Sequence, residues 1–277
     1  MTGISKECSK RKLKSIVGKK AQAVYACAFY DIEKFDNDFI SKLVDCFEQA
    51  KELLGGGDKI ILTGAPVRGE ILAADRVKAR EKFGLTDDDQ LVVSFWGSMG
   101  AKYMNEHMAG ELALECKNGV PYHHVHATGA AAREWLPRMA KEQGADFDAH
   151  PNIEVTEYIY DMADRMAAAD LIVCRAGAAT LGELCMLGRP ALLVPSPYVA
   201  ENHQEKNARA LEKEGGCRVL LEKDANPQVL YDEIQDLLSD RDRLHRMGHD
   251  ATKLAAHDAS EKIYQEILWA IENHGKK

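Results

Sequence analysis

From Lys59 onward the chain alternates short apolar runs with longer segments whose apolar residues recur every three or four positions. Runs of strand length lie at 59–64 (KIILTG), 91–97 (LVVSFWG), 121–129 (PYHHVHATG), 153–159 (IEVTEYI), 170–177 (DLIVCRAG), 190–196 (PALLVPS) and 217–221 (CRVLL). Between most of them the periodicity predicts helices over 70–83, 102–116, 130–143, 180–187 and 201–214. Continuous apolar strands alternating with helices predict an α/β fold, a doubly wound parallel sheet with helices on both faces. Several strands end on a small residue with a helix opening at once, and ligands of such sheets bind beyond the carboxyl ends of the strands. Upstream, 21–29 reads as a short buried strand and 38–53 as an amphipathic helix, before GGGD (55–58) breaks the chain. Beyond Pro227 the pattern predicts two or three helices, the last (251–273) long enough to cross to a neighbouring domain.

Composition narrows the class. Hydrophobic residues make up 45% and charged residues 29% of 277, enough core for one large domain or two modest ones. A net charge of −8 argues against a nucleic-acid partner, which calls for a basic footprint. The seven cysteines are odd in number and scattered without Cys-x-x-Cys, as expected of reduced thiols in a cytoplasm, with neither a disulfide framework nor a cysteine zinc site. No apolar run approaches the roughly 18 residues of a membrane span. Residues 5–20, however, carry seven Lys and Arg: either a solvated helix or a surface facing anionic lipid.

The stretch CRAGAATLGELCMLGRPALLVPSP (174–197) concentrates the candidate chemistry. A helix opening near Thr180 presents unpaired N–H groups and partial positive charge, suited to a phosphate. Gly177, Ala178 and Ala179 are too small to block an anion, and Glu183 could accept from both hydroxyls of a ribose. Thr180-Leu-Gly-Glu183 is equally a capping box serving only the helix's own donors, and the segment alone does not choose between these readings. A second glycine turn, SFWGSMGAKYMNE (94–106), is neither a dinucleotide fingerprint nor a Walker loop, so NAD and P-loop ATP sites are disfavoured. Arg68 follows a proline turn in TGAPVRGE, and Asn202, His203, Gln204 and Asn207 cluster donors and acceptors suited to sugar hydroxyls. His124 and His126 share one face of a strand, but no carboxylate or cysteine stands near them in the sequence; ordinary packing, with no metal and no cofactor, is the expectation.

Taken together, LTGAPVR, GSMGAKYMNE, HATG, EYIYDMADRMAAADLIVCRAGAATLGEL and GRPALLVPSPYVAENHQEKNARALEKEGG resemble the MurG family. These are bacterial inverting transferases that move GlcNAc from UDP-GlcNAc onto the undecaprenyl-linked muramyl-pentapeptide, lipid I, to make lipid II of peptidoglycan. The resemblance spans roughly residues 17–240. It implies a GT-B type, Rossmann-like doubly wound sheet: residues 59–277 as the C-terminal UDP-sugar-binding domain, residues 1–58 as a truncated remnant of the N-terminal, acceptor-side domain, and the last helix crossing back. By motif it implies that Arg68 and Ser98 surround the nucleotide and that the backbone of Ile159 meets the uracil. Ala178, Ala179 and Thr180 would face the diphosphate, Glu183 the ribose, and His203 and Gln204 the GlcNAc hydroxyls, with Arg175 in support. It also implies a cytoplasmic enzyme peripheral to the inner face of the membrane. Two departures stand out. The family's Gly-Gly-Ser is Trp96-Gly97-Ser98 here, and its N-terminal glycine-rich loop with a histidine, near the expected general base, has no counterpart; the first histidine is His107. A separate N-terminal-domain partner chain is therefore one expectation. Alternatives are a non-catalytic UDP-GlcNAc-binding subunit and a UDP-GlcNAc 2-epimerase.

Overall fold

The computed structural model describes residues 43–45, 60–97, 100–199 and 202–273. The basic segment at the start, the strand expected at 21–29, most of the helix expected at 38–53, and Ser98 lie outside the described residues. Within 38–53, residues 43–45 are not helical: β1 (Leu43–Asp45) pairs in parallel with β2 (Ile60–Leu62), Leu43 opposite Ile60 and Asp45 opposite Leu62. Leu-Val facing Ile-Ile-Leu is a sequence pair that suits a buried parallel ladder as well as a helix face.

Val67–Ala255 form one compact unit, and the described residues on either side of it belong to a second. The compact unit opens with α1 (Gly69–Ala73) and α2 (Arg76–Lys82), where one helix over 70–83 is expected. Asp75 causes the break: its side chain accepts from Lys78 N at 2.9 Å and caps a fresh helix. The pattern then runs β3 (Leu91–Phe95), α3 (Lys102–Asn118), β4 (His123–Ala127), α4 (Trp135–Glu142), β5 (Ile153–Thr156) and α5 (Met162–Ala168). The second half runs β6 (Leu171–Cys174), α6 (Ala178–Leu187), β7 (Ala191–Leu193), α7 (His203–Lys213) and β8 (Cys217–Val219), followed by α8 (Pro227–Leu238) and α9 (Arg241–Ala251). In the second unit, α10 (Ala259–Asn273) is shorter than the helix expected over 251–273. Ala255 turns extended (φ −70°, ψ 125°), and His257-Asp258 precede the new helix, where such polar residues are better tolerated than inside one.

Six strands form one parallel sheet in the order β5-β4-β3-β6-β7-β8. Each half is laid down outward from the β3–β6 pair, so the connections diverge there, and the crevice in which such sheets bind ligands falls at the carboxyl ends of those two strands. Val92, Val93 and all of β6 are 0% exposed, as strands with both faces covered must be. Arg76 and Arg80 anchor the opposite end. Their guanidinium groups donate to the carbonyls of Ala168 and Ala169 at 2.8–3.0 Å and to the Asp170 carboxylate, which itself accepts from Leu91 N at 2.9 Å. These bonds satisfy carbonyls left open where α5 ends and fix β3 beside β6. Gly188 closes α6 in the left-handed conformation (φ 59°, ψ 46°); a Cβ there would lie 3.0 Å from Thr252 and 3.3 Å from Gly248 O.

Candidate functional site

The crevice is built from chain turns that leave β3 and β6. After β6 the backbone passes Arg175 and Ala176 to Gly177, the N-cap of α6 (φ −68°, ψ 140°), whose helix carries no side-chain cap. Thr180 is thus the third residue of the helix, and the capping box possible from the sequence is not formed. Three small residues open the helix earlier than its first bulky apolar position, Leu181, suggests. With no side-chain cap and no carboxylate on its first turn, α6 presents backbone donors and partial positive charge at the crevice.

Glu183 instead meets Arg68. The guanidinium forks onto the carboxylate, Nε donating to Oε1 at 2.6 Å and Nη2 to Oε2 at 3.1 Å. Arg68 sits at the extended N-cap position of α1 (φ −65°, ψ 145°), 115 residues away in sequence, and the Glu183 hydrogen bond holds its pKa above the ordinary arginine value. The Glu183 side chain is 12% exposed and that of Arg68 39%, so the pair stands at the rim. A carboxylate held by one face of a planar fork still has lone pairs for a ligand's hydroxyls.

Arg175 turns inward. Its Nη1 donates to Val194 O at 3.0 Å, its Nη2 pairs with Glu222, and its guanidinium lies 5.8 Å from the centre of the Trp96 ring. It therefore braces the ends of β3, β6 and β7 and the turn after β8. Trp96 is 3% exposed, its ring packed in the core, so the bulk that replaces a glycine does not obstruct the following turn. Gly97 (φ 87°) and Gly100 (φ 70°) close that turn with a 3.0 Å hydrogen bond from Gly100 N to Gly97 O. A Cβ on Gly100 would fall 2.5 Å from Thr128 O, so β4's end approaches where only glycine fits. Sequence reasoning did not identify Trp96 and Glu222 as bracing residues, because their partner, Arg175, is remote in sequence.

Ile159 lies beyond β5, 9% exposed, and lines a cavity of about 490 Å³ with Val125, Glu154, Thr156, Tyr158, Tyr160, Asp161 and Arg165. His203 and Gln204 open α7 after Asn202, which adopts a left-handed conformation (φ 52°). The Gln204 side-chain oxygen accepts from Ser196 N at 2.9 Å, leaving its nitrogen as the donor end. The structure thus joins Arg68 to Glu183 and sets Arg175, Ala178, Ala179 and Thr180 on one crossover; Ile159, His203 and Gln204 follow other strands at the same edge.

His124 and His126 depart from expectation. Both are fully buried, and a carboxylate does accompany them: Glu115 of α3 places its oxygens 2.9 and 3.0 Å from His124 Nδ1. Ser94 Oγ bridges His124 Nε2 at 2.8 Å and His126 Nδ1 at 2.7 Å, while His126 Nε2 meets Asn105 Oδ1 at 3.2 Å. Burial, with His124 adjacent, lowers His126 to about 3, so its ring is neutral at physiological pH.

This sheet order defines a doubly wound α/β domain with its connections diverging between β3 and β6, and the chain belongs to the family described as glycosyltransferase family 28 C-terminal domain, whose model matches residues 91–263. It is 43% identical over 241 residues to the UDP-N-acetylglucosamine--N-acetylmuramyl-(pentapeptide) pyrophosphoryl-undecaprenol N-acetylglucosamine transferase of Acetivibrio thermocellus, covering 86% of this chain and 64% of that one. The enzyme of the same name from Desulforamulus reducens is 38% identical over 231 residues, 82% of this chain and 62% of its own. Among solved structures, Acinetobacter baumannii MurG superposes with a TM-score of 0.61 at 27% identity, covering 82% of this chain and 65% of that one. The fold is thus the GT-B type, and the chain spans a little under two thirds of the length of these curated relatives.

Proposed function

We propose that this chain is the donor-binding part of an inverting N-acetylglucosaminyltransferase that uses UDP-GlcNAc. The observation that carries the reading is the Glu183 carboxylate, presented at the carboxyl edge of β6 beside a helix start without a side-chain cap. In this reading the diphosphate lies against Ala178, Ala179 and Thr180, where the end of α6 supplies about half an elementary charge. The ribose hydroxyls donate to Glu183, the backbone of Ile159 meets the uracil, and Arg68 and Ser98 flank the nucleotide. His203 and Gln204 hold the GlcNAc hydroxyls, and Arg175 keeps the crossover in place. As the glycosidic bond to UDP breaks, negative charge grows on the diphosphate, and fixed donors already aimed there lower the barrier.

The acceptor hydroxyl must approach the opposite face of the anomeric carbon and lose its proton to a base. The acceptor is the lipid-linked muramyl-pentapeptide that the relatives' names specify. The base belongs to the acceptor side, contributed by an N-terminal domain or a partner chain at the cytoplasmic membrane face. Among the described residues no helix is long and apolar enough to cross a membrane.

Incubation of the full chain with UDP-GlcNAc and a soluble lipid I analogue tests the proposal. Transfer, or donor binding that becomes transfer when an acceptor domain is added, is the expected result. UDP-ManNAc formation without acceptor would establish an epimerase instead, and absence of donor binding by folded protein would overturn the reading.

A further inference from the structure

Helix α3 carries two glutamates one turn apart, Glu111 and Glu115, which meet His124 of β4. All three side chains are fully buried, and one ligand atom from each lies within 4.8 Å of the other two. Glu115 is held from outside: the Tyr122 hydroxyl donates to its Oε1 at 2.6 Å, and Gln235 donates to Tyr122 at 2.8 Å. Glu111 has no such support. Neither of its oxygens accepts from an N–H or hydroxyl donor, and its neighbour within reach is the Glu115 carboxyl itself. A carboxylate taken out of water must find a countercharge or give up its own charge.

The hydrogen-bond chain leading away from the site fixes the histidine. Thr128 O can only accept, so Asn105 donates Nδ2–H to it at 2.8 Å and turns Oδ1 to His126. His126 must then donate from Nε2 and accept at Nδ1 from the Ser94 hydroxyl, whose oxygen accepts in turn from His124 Nε2–H. His124 therefore carries a proton on Nε2 and turns Nδ1 to the two carboxyl groups. A lone pair 2.9–3.0 Å from carboxylate oxygens is repulsive unless a positive species lies between them. With both glutamates ionised, one divalent cation cancels the charge of the cluster.

We propose that Glu111, Glu115 and His124 form a structural site for one divalent transition metal, zinc above all, that clamps α3 to β4. One imidazole nitrogen with carboxylate oxygens is a zinc-type donor set, and a bidentate glutamate completes four positions. The Glu115–His124 gaps approach the edge of about 3.3 Å expected of a tetrahedron with bonds near 2.0 Å. Ser94 on Nε2 and Tyr122 on Glu115 are the outer hydrogen bonds that orient metal ligands. Full burial marks a closed site rather than a catalytic one, and it lies at one end of the chain that reaches Thr128 O, against which Gly100 packs.

The full chain, purified without a histidine tag, is stripped with chelator, loaded with Zn²⁺ and freed of excess metal. Mass spectrometry should find about one zinc per chain, and in a separate melt with free Zn²⁺ at a hundredfold excess over the dissociation constant Tm should rise by roughly 5 °C. Co²⁺ should give visible ligand-field absorption at the same stoichiometry. Glu111→Gln, which keeps the side chain's size, should lose retained metal, absorption and Tm response together while its circular dichroism stays native. The proposal is overturned if the loaded wild type keeps less than about a tenth of a zinc per chain without a Tm response. Metal retained equally by E111Q would also overturn it. In the first case a proton shared by Glu111 and Glu115 removes one of the pair's two charges, and E111Q would melt no lower than wild type. Should E111Q not fold, the stoichiometry and cobalt spectrum of the wild type decide alone.

Discussion

Replacing Glu183 by alanine should damage ligand binding far more than folding, and the structure gives both magnitudes. In the free protein the carboxylate's visible partner is Arg68, whose side chain is 39% exposed, so water can take over the guanidinium when the partner is gone. A rim pair of this kind stabilises by about 1 kcal/mol at most after solvent screening. For a domain this size that is a fall in Tm of about 3 °C. If the carboxylate accepts from both ribose hydroxyls, two charge-assisted hydrogen bonds worth about 1.5 kcal/mol each disappear from the complex. The sum, about 3 kcal/mol, corresponds to a weakening of the Kd for UDP-GlcNAc by roughly 150-fold. Calorimetry against UDP-GlcNAc, with thermal melts on the same preparations, measures the two effects separately. Glu183→Gln should fall between wild type and alanine in affinity, because one acceptor oxygen remains. The Arg68→Ala/Glu183→Ala double variant should melt within about 1 °C of the weaker single variant, since the singles already break the pair. A Tm loss above about 8 °C with affinity changed less than threefold would refute the reasoning and reduce Glu183 to a structural role.

Other consequences follow from the same contacts. Arg80→Ala removes a guanidinium with 7% exposure from Asp170 and from the carbonyls of Ala168 and Asp89, and should lower unfolding free energy in urea by about 3 kcal/mol without moving donor affinity. Gly188→Ala places a side chain at φ 59° against Thr252 and Gly248, and should cost about 1–3 kcal/mol in the same assay. Burial pushes the Cys185 thiol up to about 12, so at pH 8 about one molecule in ten thousand carries its thiolate. Iodoacetamide followed by peptide mass spectrometry should leave Cys185 unmodified in native protein and modify it in urea.

The sheet was legible from the sequence because strands buried on both faces, such as β6 and β7, are continuous apolar runs. The crevice was legible for a related reason: Gly177, Ala178 and Ala179 have no other evident purpose at a strand end. The first turn of α6 was harder, because Thr180 and Glu183 imitate a capping box while the helix begins two residues earlier with Gly177 as its N-cap. Contacts between residues far apart in sequence were hidden. Nothing local in TGAPVRGE announces that Arg68 closes on Glu183, nor does Trp96 announce its place beneath Arg175. The buried cluster had one readable signal that went unused. Glu111 and Glu115 recur at four-residue spacing among Met108, Leu112 and Cys116, which puts charge on a helix face that packs inward.

On the proposed function, the edge between β3 and β6, with the start of α6 and Glu183, holds a sugar nucleotide. Isothermal titration of the full chain with UDP-GlcNAc tests it directly, with UDP as competitor and E183A as control. The account requires one site per chain, competed by UDP and weakened roughly 150-fold in E183A. Protein that is folded by circular dichroism yet gives no heat with millimolar donor, or binds it equally well as E183A, would contradict the account.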